Sequence, residues 1–416
     1  MTLLILGQEA SSMQYESLSK LNYKSPHKYE SAYQYRFQAP DTIRLDIKIH
    51  DMPAFIYCPK ELWHNIIEIH KADKSIRAFR RSLPGVAIDQ FTNRCLVDEI
   101  VLTNDIDGVS STRREIHKVL EKLEQKNPAP RFHGLVMMYA ILDRKGIDLR
   151  TCQDVRALYN ELVLPEVIAE DPHDAPDGKI FRKGPVSVTS PAQKELHQGL
   201  LPESNIQSAM QYVLDLIHDE SIDLFIRIAA AHYLIGYIHP FYNGNGRLSR
   251  FISSYLLTRE LDPLIAYRLS YTIRENLKGY YNAFKLCNDS HSRGDIAPFI
   301  IWFSEIVMEA IHKLNSALLE RFADLEHYRS IMQSNPSLSS KQMKNTTYCV
   351  LQAALFSDHG ISTAELMRYT KLSRSALRVR LNRLDKMGIL ISRRYGKEKF
   401  YTLDIKHLST ASFAQK

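Results

Sequence analysis

The sequence of 416 residues is too long for one ordinary hydrophobic core and predicts two or three domains. Its 44% hydrophobic content includes no uncharged apolar run of about 18 residues, and MTLLILGQEASS lacks the basic residues and cleavage site of a signal peptide, so neither a membrane span nor a leader is expected. The net charge of +7 is local, because residues 371–400 alone hold ten basic and two acidic side chains.

The first predicted elements are a strand and a long helix. Residues 43–49, IRLDIKI, alternate apolar and charged side chains and predict a half-buried strand. The pattern becomes helical after Pro59 and is ended by Pro84. Further helical segments are expected between residues 96 and 163.

A Pro-, Gly- and Asp-rich stretch at residues 170–192 interrupts the helical pattern. It flanks two short strand-like runs, Ile180–Arg182 and Val186–Val188, which predict a surface hairpin. The segment 206–319 is then almost entirely helical, with breaks at 239–246, at 261–263 and at SHSRGD. Within it, IRIAAAHYLIGYI predicts a helix that is buried on all sides.

The pattern changes again after a polar stretch, NPSLSSKQMKN, which predicts a linker at residues 335–345. TAELMRYTKLSRSALRVRLNRLDKMG then predicts helix, turn and helix, and ILISRRYGKEKFYTLD predicts strand, turn and strand. Leu377, Leu381 and Leu384 share one helical face and are expected to form its core side.

The five cysteines are widely separated and form no C-x-x-C pair. This spacing argues against a disulfide framework and against a zinc site. It predicts a protein of the reducing cytoplasm.

The residues most indicative of chemistry are HPFYNGNGRLSR, from His239 to Arg250. A loop enters a new helix here, and a glycine-containing loop at a helix N-terminus offers free backbone N–H groups to an anion. Gly244 and Gly246 permit the close approach, and Arg247 and Arg250, neighbours by spacing, provide further donors for phosphate oxygens.

His239 lies directly before this anion loop, where a general base would act on a hydroxyl that attacks the phosphate. A glycine-rich helix cap with a core histidine and two surface arginines is the alternative. It does not account for the joint presence of the histidine, the glycines and both arginines, so the loop predicts a site for a di- or triphosphate.

HPFYNGNGRLSR resembles the signature of the Fic family, H-P-F-x-[D/E]-G-N-G-R-x-x-R, whose members typically transfer AMP from ATP to a protein hydroxyl. FRKGPVSV resembles the family flap, expected near residues 180–188, which holds target peptide by strand addition. RENLKGYYNAF and GDIAPFIIWF resemble later helices of the family. The resemblance covers roughly residues 96–312.

The resemblance implies roles for individual residues. His239 would be the base and Phe241 would anchor the loop in the core. The phosphate-binding residues would be Gly244, Asn245, Gly246, Arg247 and Arg250. Tyr280 and Tyr281 are candidates for neighbours of the base, although tyrosines at helical spacing are equally typical of a core.

Asn243 departs from the family pattern, which has an acidic residue for Mg²⁺ at this position. An amide oxygen ligates a hard cation but brings no negative charge, so weak metal binding is expected. Since Mg²⁺ neutralises charge during phosphoryl transfer, either the rate falls or another group compensates.

DEIVLTNDIDGVSSTRREI resembles the inhibitory helix of the family, [S/T]-x-x-x-E-[G/N], with Thr103 and Gly108 in place and Asp107 where glutamate is usual. The resemblance implies that Asp107 pairs with Arg250 and blocks the γ-phosphate. Because aspartate is one methylene shorter, a weaker inhibitory contact is expected. An ordinary helix end at Gly108 is the alternative.

The basic carboxy-terminal segment resembles a winged helix-turn-helix. Its candidate DNA-binding residues are Arg374, Arg378, Arg380, Arg393, Arg394 and Lys397. A recognition helix in the major groove and a wing on the backbone would place these charges along DNA phosphates. A solvated helix or a protein-docking module is the alternative.

The predicted fold is mainly α, a Fic-type helical core with a β-hairpin flap plus a C-terminal winged-helix (α+β) domain. Its divisions are an N-terminal Fic-associated region (1–95), the Fic domain (96–312), a helix and linker (313–345) and the winged helix-turn-helix (346–405).

The predicted function is that of an autoinhibited protein adenylyltransferase with ATP as substrate and weakly bound Mg²⁺. It would act on a Tyr, Thr or Ser hydroxyl of a target protein, which can be the enzyme itself. The alternatives are transfer of another nucleotide or phosphate-linked group, removal of AMP, and a catalytically weak domain serving a DNA-binding regulator. Homodimers occur in similar proteins and are a further expected partner state.

Overall fold

The computed structural model describes residues 15–123, 131–144, 146–189, 195–395 and 398–410. MTLLILGQEASS and Lys397 lie outside these ranges. The chain divides into two compact units, each built from two segments. The first unit comprises Met1–Asp73 and Glu99–Ile311, and the second comprises Lys74–Asp98 and His312–Lys416.

The chain is mainly helical, as the sequence predicts. Its α-helices are Leu18–Lys24 (α1), Pro26–Gln38 (α2), Lys60–Ser82 (α3), Gly85–Ile106 (α4), Arg113–Leu120 (α5), His133–Ala140 (α6), Cys152–Leu162 (α7), Leu164–Glu170 (α8), Glu203–His218 (α9), Leu224–Ile238 (α10), Asn245–Glu260 (α11), Pro263–Ala266 (α12), Leu269–Glu275 (α13), Leu277–Asn288 (α14), Ala297–Ser334 (α15), Lys341–Phe356 (α16), Thr363–Thr370 (α17), Arg374–Lys386 (α18) and Ile405–Thr410 (α19).

The strands form three small antiparallel sheets. They are Ile43–Ile49 (β1), Met52–Ile56 (β2), Ser187–Thr189 (β3), Glu195–Gln198 (β4), Ile361–Ser362 (β5), Leu390–Tyr395 (β6) and Glu398–Leu403 (β7). The strand predicted at residues 43–49 is confirmed with the same bounds.

Helix α10 has buried residues on every side, which confirms the prediction for IRIAAAHYLIGYI; within that segment only Arg227 and Gly236 are partly exposed. Its first turn is capped by Asp223, whose Oδ1 accepts the N–H of Phe225 at 2.8 Å. Helices α9 and α11 pack against it. Within the part of the chain that the structure describes, every helix is too short or too polar to span a bilayer.

The predicted hairpin is wrong in its pairing. The strands that pair are β3 and β4, with Val188 opposite His197, whereas 180–182 is not a strand. The backbone there is bonded elsewhere, because the Glu203 carboxylate accepts the N–H groups of Lys179, Ile180 and Phe181 at 3.0, 2.8 and 3.0 Å. These amides are therefore unavailable to a neighbouring strand.

Arg182 is fully buried rather than on a surface hairpin. Its guanidinium donates to the carbonyl oxygens of His239, Gly184 and Leu200 at 2.8, 2.6 and 3.0 Å. The side chain thus joins the segment before β3 to the end of α10.

The second unit combines α16, α17 and α18 with a three-stranded sheet in the order β5-β7-β6. Leu377, Leu381 and Leu384 are buried, as predicted for the core side of α18. The linker predicted at 335–345 is too long, because Ser340 caps α16 by accepting the N–H of Met343 at 3.1 Å. Only residues 335–340 separate α15 from α16.

The two units do not follow the division predicted from sequence, since the boundary between residues 95 and 96 falls inside α4. The first half of α4 belongs to the second unit, where Ala87 N–H donates to Gln352 at 3.1 Å and Gln90 donates to Glu365 at 2.8 Å. From Glu99 onward the helix belongs to the first unit.

Candidate functional site

His239 ends α10 in a left-handed backbone conformation with φ of 54°. Its Nδ1 lies 3.4 Å from the carbonyl oxygen of Gly236, which can only accept. Nδ1 is therefore the protonated nitrogen of the neutral ring, and Nε2 carries the lone pair. His239 also lines a cavity of about 660 Å³, so a base is available where a ligand can enter.

Burial lowers the pKa of His239 to about 4, and the positive charges of Arg182 and His197 act in the same direction. The imidazole is consequently neutral at pH 7. A neutral imidazole accepts a proton without first losing one, which is the state that a general base requires.

The loop after His239 is held from within. Phe241 is fully buried, stacks on Tyr159 with 3.6 Å between ring centroids, and meets the edge of Phe181 at 5.4 Å. The Asn245 side chain accepts the N–H of Phe241 at 2.9 Å and donates to its carbonyl oxygen at 2.8 Å. The anchoring role expected for Phe241 thus matches its position.

The structure shows which part of Asn245, expected among the phosphate-binding residues, is free to meet an anion. Its side chain is buried and both its donor and its acceptor are used by Phe241. What Asn245 offers to an anion is its backbone, as the first residue of α11. The sequence motif alone does not distinguish these two uses of an asparagine.

The N-cap residue of α11 is Gly244 with φ of +79°, and no side chain in the described part of the chain caps this helix N-terminus. This left-handed conformation favours glycine. At Gly246 a Cβ atom would lie 2.6 Å from Oδ1 of Asp107, so the absence of a side chain lets the carboxylate approach. The first-turn N–H groups of α11 remain directed toward the loop, as an anion site requires.

Arg247 and Arg250 are each 1% exposed, and one carboxylate bridges them. Asp107 Oδ1 accepts from Nη2 of Arg250 at 2.7 Å, and its Oδ2 lies 3.3 Å from Nε of Arg247. Arg250 also donates to Oγ1 and to the carbonyl oxygen of Thr103 at 2.8 and 2.9 Å. The predicted partners Thr103, Asp107 and Arg250 therefore lie together.

The shorter reach expected of Asp107 is not observed, since its carboxylate contacts both arginines. Gly108 follows with φ of +75°, the conformation typical of a helix C-terminus. Arg247 is less completely satisfied than Arg250: among the described residues, its Nε and Nη2 have no hydrogen-bond partner. A buried guanidinium whose donors are not all used is suited to bind an anion.

Asn243 occupies the position expected for the metal ligand. Its Nδ2 donates to Asp174 Oδ2 at 3.1 Å, and its Oδ1 accepts the N–H of Gly244 at 2.6 Å. The described residues include no group of three or more His, Cys, Asp or Glu side chains suited to a metal ion. The amide oxygen of Asn243 and the nearby carboxylate are nevertheless the hard oxygen groups that Mg²⁺ prefers.

Tyr280 and Tyr281 line the cavity, but the hydrogen bond of Tyr280 is not to His239. Its hydroxyl lies 3.0 Å from Nε2 of His232, a buried histidine whose Nδ1 lies 2.9 Å from Ser253 Oγ. Burial lowers the pKa of His232 to about 3. His232 is thus a neutral core histidine, and Tyr280 is held by the core rather than by the predicted base.

Asp174, Arg182 and His197 also belong to this region, although they were not among the predicted site residues. His197 on β4 stacks on Tyr237 with 4.5 Å between centroids and lines the cavity with Ser187 and Val188 of β3. Arg182 belongs to FRKGPVSV, so its resemblance to the family flap is the sequence feature that could have indicated a role near the site. No local pattern singles out Asp174, whose partner Asn243 is 69 residues away.

The second unit carries the candidate DNA-binding residues. Arg374, Arg378 and Asn382 are exposed on α18 and line, with Lys399 of β7, an open groove of about 1110 Å³. Arg393 and Arg394 are exposed on β6. These positive charges share one groove and its adjoining hairpin.

Arg380 does not belong to this exposed set. Its guanidinium donates to the carbonyl oxygen of Ala376 at 2.6 Å and to Gln342 of α16. It lies on the side of α18 that faces the remainder of the second unit. Lys397 falls outside the described residues.

Comparison with known proteins supports the family resemblance. Residues 151–257 match the model of the Fic/DOC family. The chain is 31% identical over 100 residues to "Protein adenylyltransferase Fic" of Drosophila virilis and 32% identical over 110 residues to that of Drosophila ananassae, covering 24% and 26% of this chain. These matches span about a fifth of each relative, 19% and 20%.

A solved structure has the same fold. A Fic family protein from Desulfovibrio desulfuricans G20 aligns with a TM-score of 0.51 and 18% identity, over 83% of this chain and 96% of that one. At this identity the similarity concerns the fold alone. The predicted mainly α, Fic-type fold is confirmed.

The protonation state of His239 can be measured directly. We expect long-range ¹H–¹⁵N spectra to show a neutral ring protonated at Nδ1 at pH 7, with a titration midpoint at about 4, because burial disfavours the charged form. The His239→Gln variant assigns the signal. A midpoint at or above the ordinary histidine value of about 6.5 would contradict this.

Proposed function

We propose that this chain, whose residues 151–257 match the Fic/DOC family model, is a protein adenylyltransferase, transferring AMP from ATP to a Tyr, Thr or Ser hydroxyl of a target protein. The observation that carries the proposal is that a neutral histidine, the N-terminus of α11 and the buried Arg250 line one cavity. The buried Arg247 lies beside this group and shares the Asp107 carboxylate with Arg250. The relatives named as protein adenylyltransferases support the same activity.

In this reaction Nε2 of His239 takes the proton of the target hydroxyl as its oxygen attacks the α-phosphorus of ATP. A P–O bond to the target forms, the bond between the α-phosphorus and the bridging oxygen breaks, and pyrophosphate leaves with that electron pair. The neutral state of His239 suits it to this step.

The N–H groups at the start of α11 cradle the phosphates, and Arg247 and Arg250 bind the β- and γ-groups. The helix dipole and the guanidiniums both favour the negative charge of the nucleotide. A bound divalent cation supplies charge neutralisation on the phosphates, and Oδ1 of Asn243 is the ligand that the loop offers to it.

We further propose that Asp107 inhibits the enzyme by occupying both arginines. In the observed state its carboxylate oxygens take the places of phosphate oxygens on Arg247 and Arg250. A nucleotide whose terminal phosphate pairs with these arginines must displace Asp107. The inhibition is therefore a direct competition between one carboxylate and the triphosphate.

Transfer of AMP is tested by incubating the full chain with target lysate and ATP labelled at the α-phosphate, with Mg²⁺ or Mn²⁺. We expect protein to be labelled, and His239→Ala to reduce labelling by about a hundredfold or more, as for loss of a general base. Label from other nucleotides under equal conditions would instead favour a different transferred group. Absence of label even in Asp107→Ala and Asn243→Asp variants would exclude the transferase.

The inhibitory contact is tested by Asp107→Ala, which frees both arginines. We expect more labelling and tighter ATP binding than in the wild type, because the competing carboxylate is gone. Asp105→Ala is the matched control, since Asp105 ends the same helix but pairs with Arg274. Unchanged labelling and ATP affinity in Asp107→Ala would contradict the proposal.

A second function, DNA binding, is favoured by the basic groove of the second unit. Arg374 and Arg378 are exposed one helical turn apart on α18, and Val379, the residue after Arg378, is 68% exposed. Exposed guanidiniums bind phosphates or guanine edges, and an exposed aliphatic group contacts thymine methyls. We propose that α18 enters the major groove of DNA and that the β6–β7 hairpin contacts its backbone.

DNA binding is tested by fluorescence anisotropy with a labelled duplex at several salt concentrations. We expect Arg374→Ala combined with Arg378→Ala to weaken binding and to reduce the slope of log affinity against log salt by about two. Arg329→Ala is the control, because it removes an exposed arginine of α15 that pairs with Glu326. Salt-independent binding, or equal affinity in all variants, would reject the proposal.

A further inference from the structure

The side chain of Asn243 is held in one orientation by two partners of opposite kind. Asp174 Oδ2 accepts from its Nδ2 at 3.1 Å, and Gly244 N–H donates to its Oδ1 at 2.6 Å. A carboxylate can only accept and a backbone N–H can only donate, so these contacts fix which end of the amide is oxygen. Oδ1 therefore faces the phosphate-binding loop.

Asp174 is itself fixed by local structure. It ends a 3₁₀ turn, Pro172–Asp174, in which Asp171 Oδ1 accepts the N–H of His173 at 2.9 Å. Among the described residues, its carboxylate has Asn243 as its hydrogen-bond partner. Asp177, another carboxylate near the loop, accepts from the Tyr242 hydroxyl at 3.0 Å and from the Lys183 N–H at 2.8 Å.

This geometry provides negative charge at a position where the loop itself has none. A carboxylate that accepts a hydrogen bond from an amide N–H polarises the amide and makes its oxygen more negative. Carboxylates behind metal-bound histidines orient and strengthen the ligand in the same way. Oδ1 keeps a second lone pair besides the one directed at Gly244, so it can also ligate a cation.

We propose that Asp174 is a positioning residue for a divalent cation bound with the nucleotide, acting through the amide of Asn243. This inference rests on the proposed nucleotide-binding function of the loop. The negative charge lies on Asp174 and reaches the cation through Asn243 Oδ1. The loop thus binds a cation without a carboxylate at position 243.

Cation affinity is measured by titrating Mn²⁺ into the full chain, saturated with the non-transferable analogue adenosine 5′-(α,β-methylene)triphosphate, and following free Mn²⁺ by electron paramagnetic resonance. All variants carry Asp107→Ala so that both arginines are free. Asp174→Asn preserves an oxygen acceptor for Asn243 and removes only the charge. We expect this change to weaken Mn²⁺ binding about tenfold.

The control is Glu170→Gln, which removes an exposed charge from the same region and leaves the Asn243 contact intact. We expect it to bind Mn²⁺ as tightly as the parent. Equal affinity for Mn²⁺ in Asp174→Asn and the parent would overturn the proposal.

A charge exchange separates the electrostatic role from a structural one. Asp174→Asn combined with Asn243→Asp has the charge of the parent and places the carboxylate on the loop itself. We expect the double variant to recover the Mn²⁺ affinity lost in Asp174→Asn. A double variant no better than Asp174→Asn would show that Asp174 acts by holding the fold, and would overturn the proposal.

Nucleotide binding without metal distinguishes this inference from the proposed function. In EDTA, we expect the parent and Asp174→Asn to bind the fluorescent nucleotide mant-ATP with equal affinity, because the N–H groups and arginines are unchanged. Failure of the parent to bind would overturn both the proposed function and this inference. Equal nucleotide binding with Mn²⁺ affinity independent of Asp174 would overturn the inference alone.

Discussion

The arrangement of the site depends on one electrostatic constraint, the burial of two guanidiniums on the first turns of α11. Arg247 and Arg250 are each 1% exposed, and a buried cation without a partner is strongly destabilising. Asp107 and Thr103 supply the partner groups in the observed state. Any nucleotide that pairs with these arginines must replace what Asp107 provides, so the proposed inhibition would depend on the same contact that stabilises the buried arginines.

The contact of Asp107 with both arginines determines how much free energy is lost when a nucleotide displaces the carboxylate. Removing one partner of a buried ion pair typically costs about 3–5 kcal/mol, much of it from the charge that is left unpaired. A triphosphate restores the lost charge with more acceptor oxygens than a carboxylate has. Under the proposed inhibition, Asp107 would stabilise the fold while the site is without nucleotide, and the triphosphate that displaces it would take over that stabilising role.

The contact of Asp107 with both arginines depends on Gly246. Sequence comparison with a glutamate-containing motif predicts a shorter reach for aspartate, but that comparison assumes an unchanged distance between α4 and α11. A Cβ atom at position 246 would lie 2.6 Å from Oδ1 of Asp107. The bare backbone at Gly246 thus provides the space that brings the shorter side chain within range of both guanidiniums.

The sequence alone predicted correctly those features that depend on local apolar spacing or on a short motif with several functional residues. Strand β1 and the buried helix α10 follow from apolar spacing, and His239 through Arg250 lie within twelve residues. The misplaced hairpin, the internal role of Asn245 and the inward direction of Arg380 depend on partners distant in sequence. Asp174 is the clearest case, because a single aspartate has no local signal until folding brings it to Asn243.

The ends of α10 and α11 that meet at the loop favour charges of opposite sign. The C-terminus of α10 carries partial negative charge, which would favour a protonated His239, whereas the N-terminus of α11 carries the partial positive charge that favours phosphate. Burial, assisted by Arg182, outweighs the first effect and keeps His239 neutral. Arg182 makes this smaller contribution while its donors bind the carbonyl oxygens of His239 and Leu200, so the group that secures the end of α10 also favours the neutral form of His239.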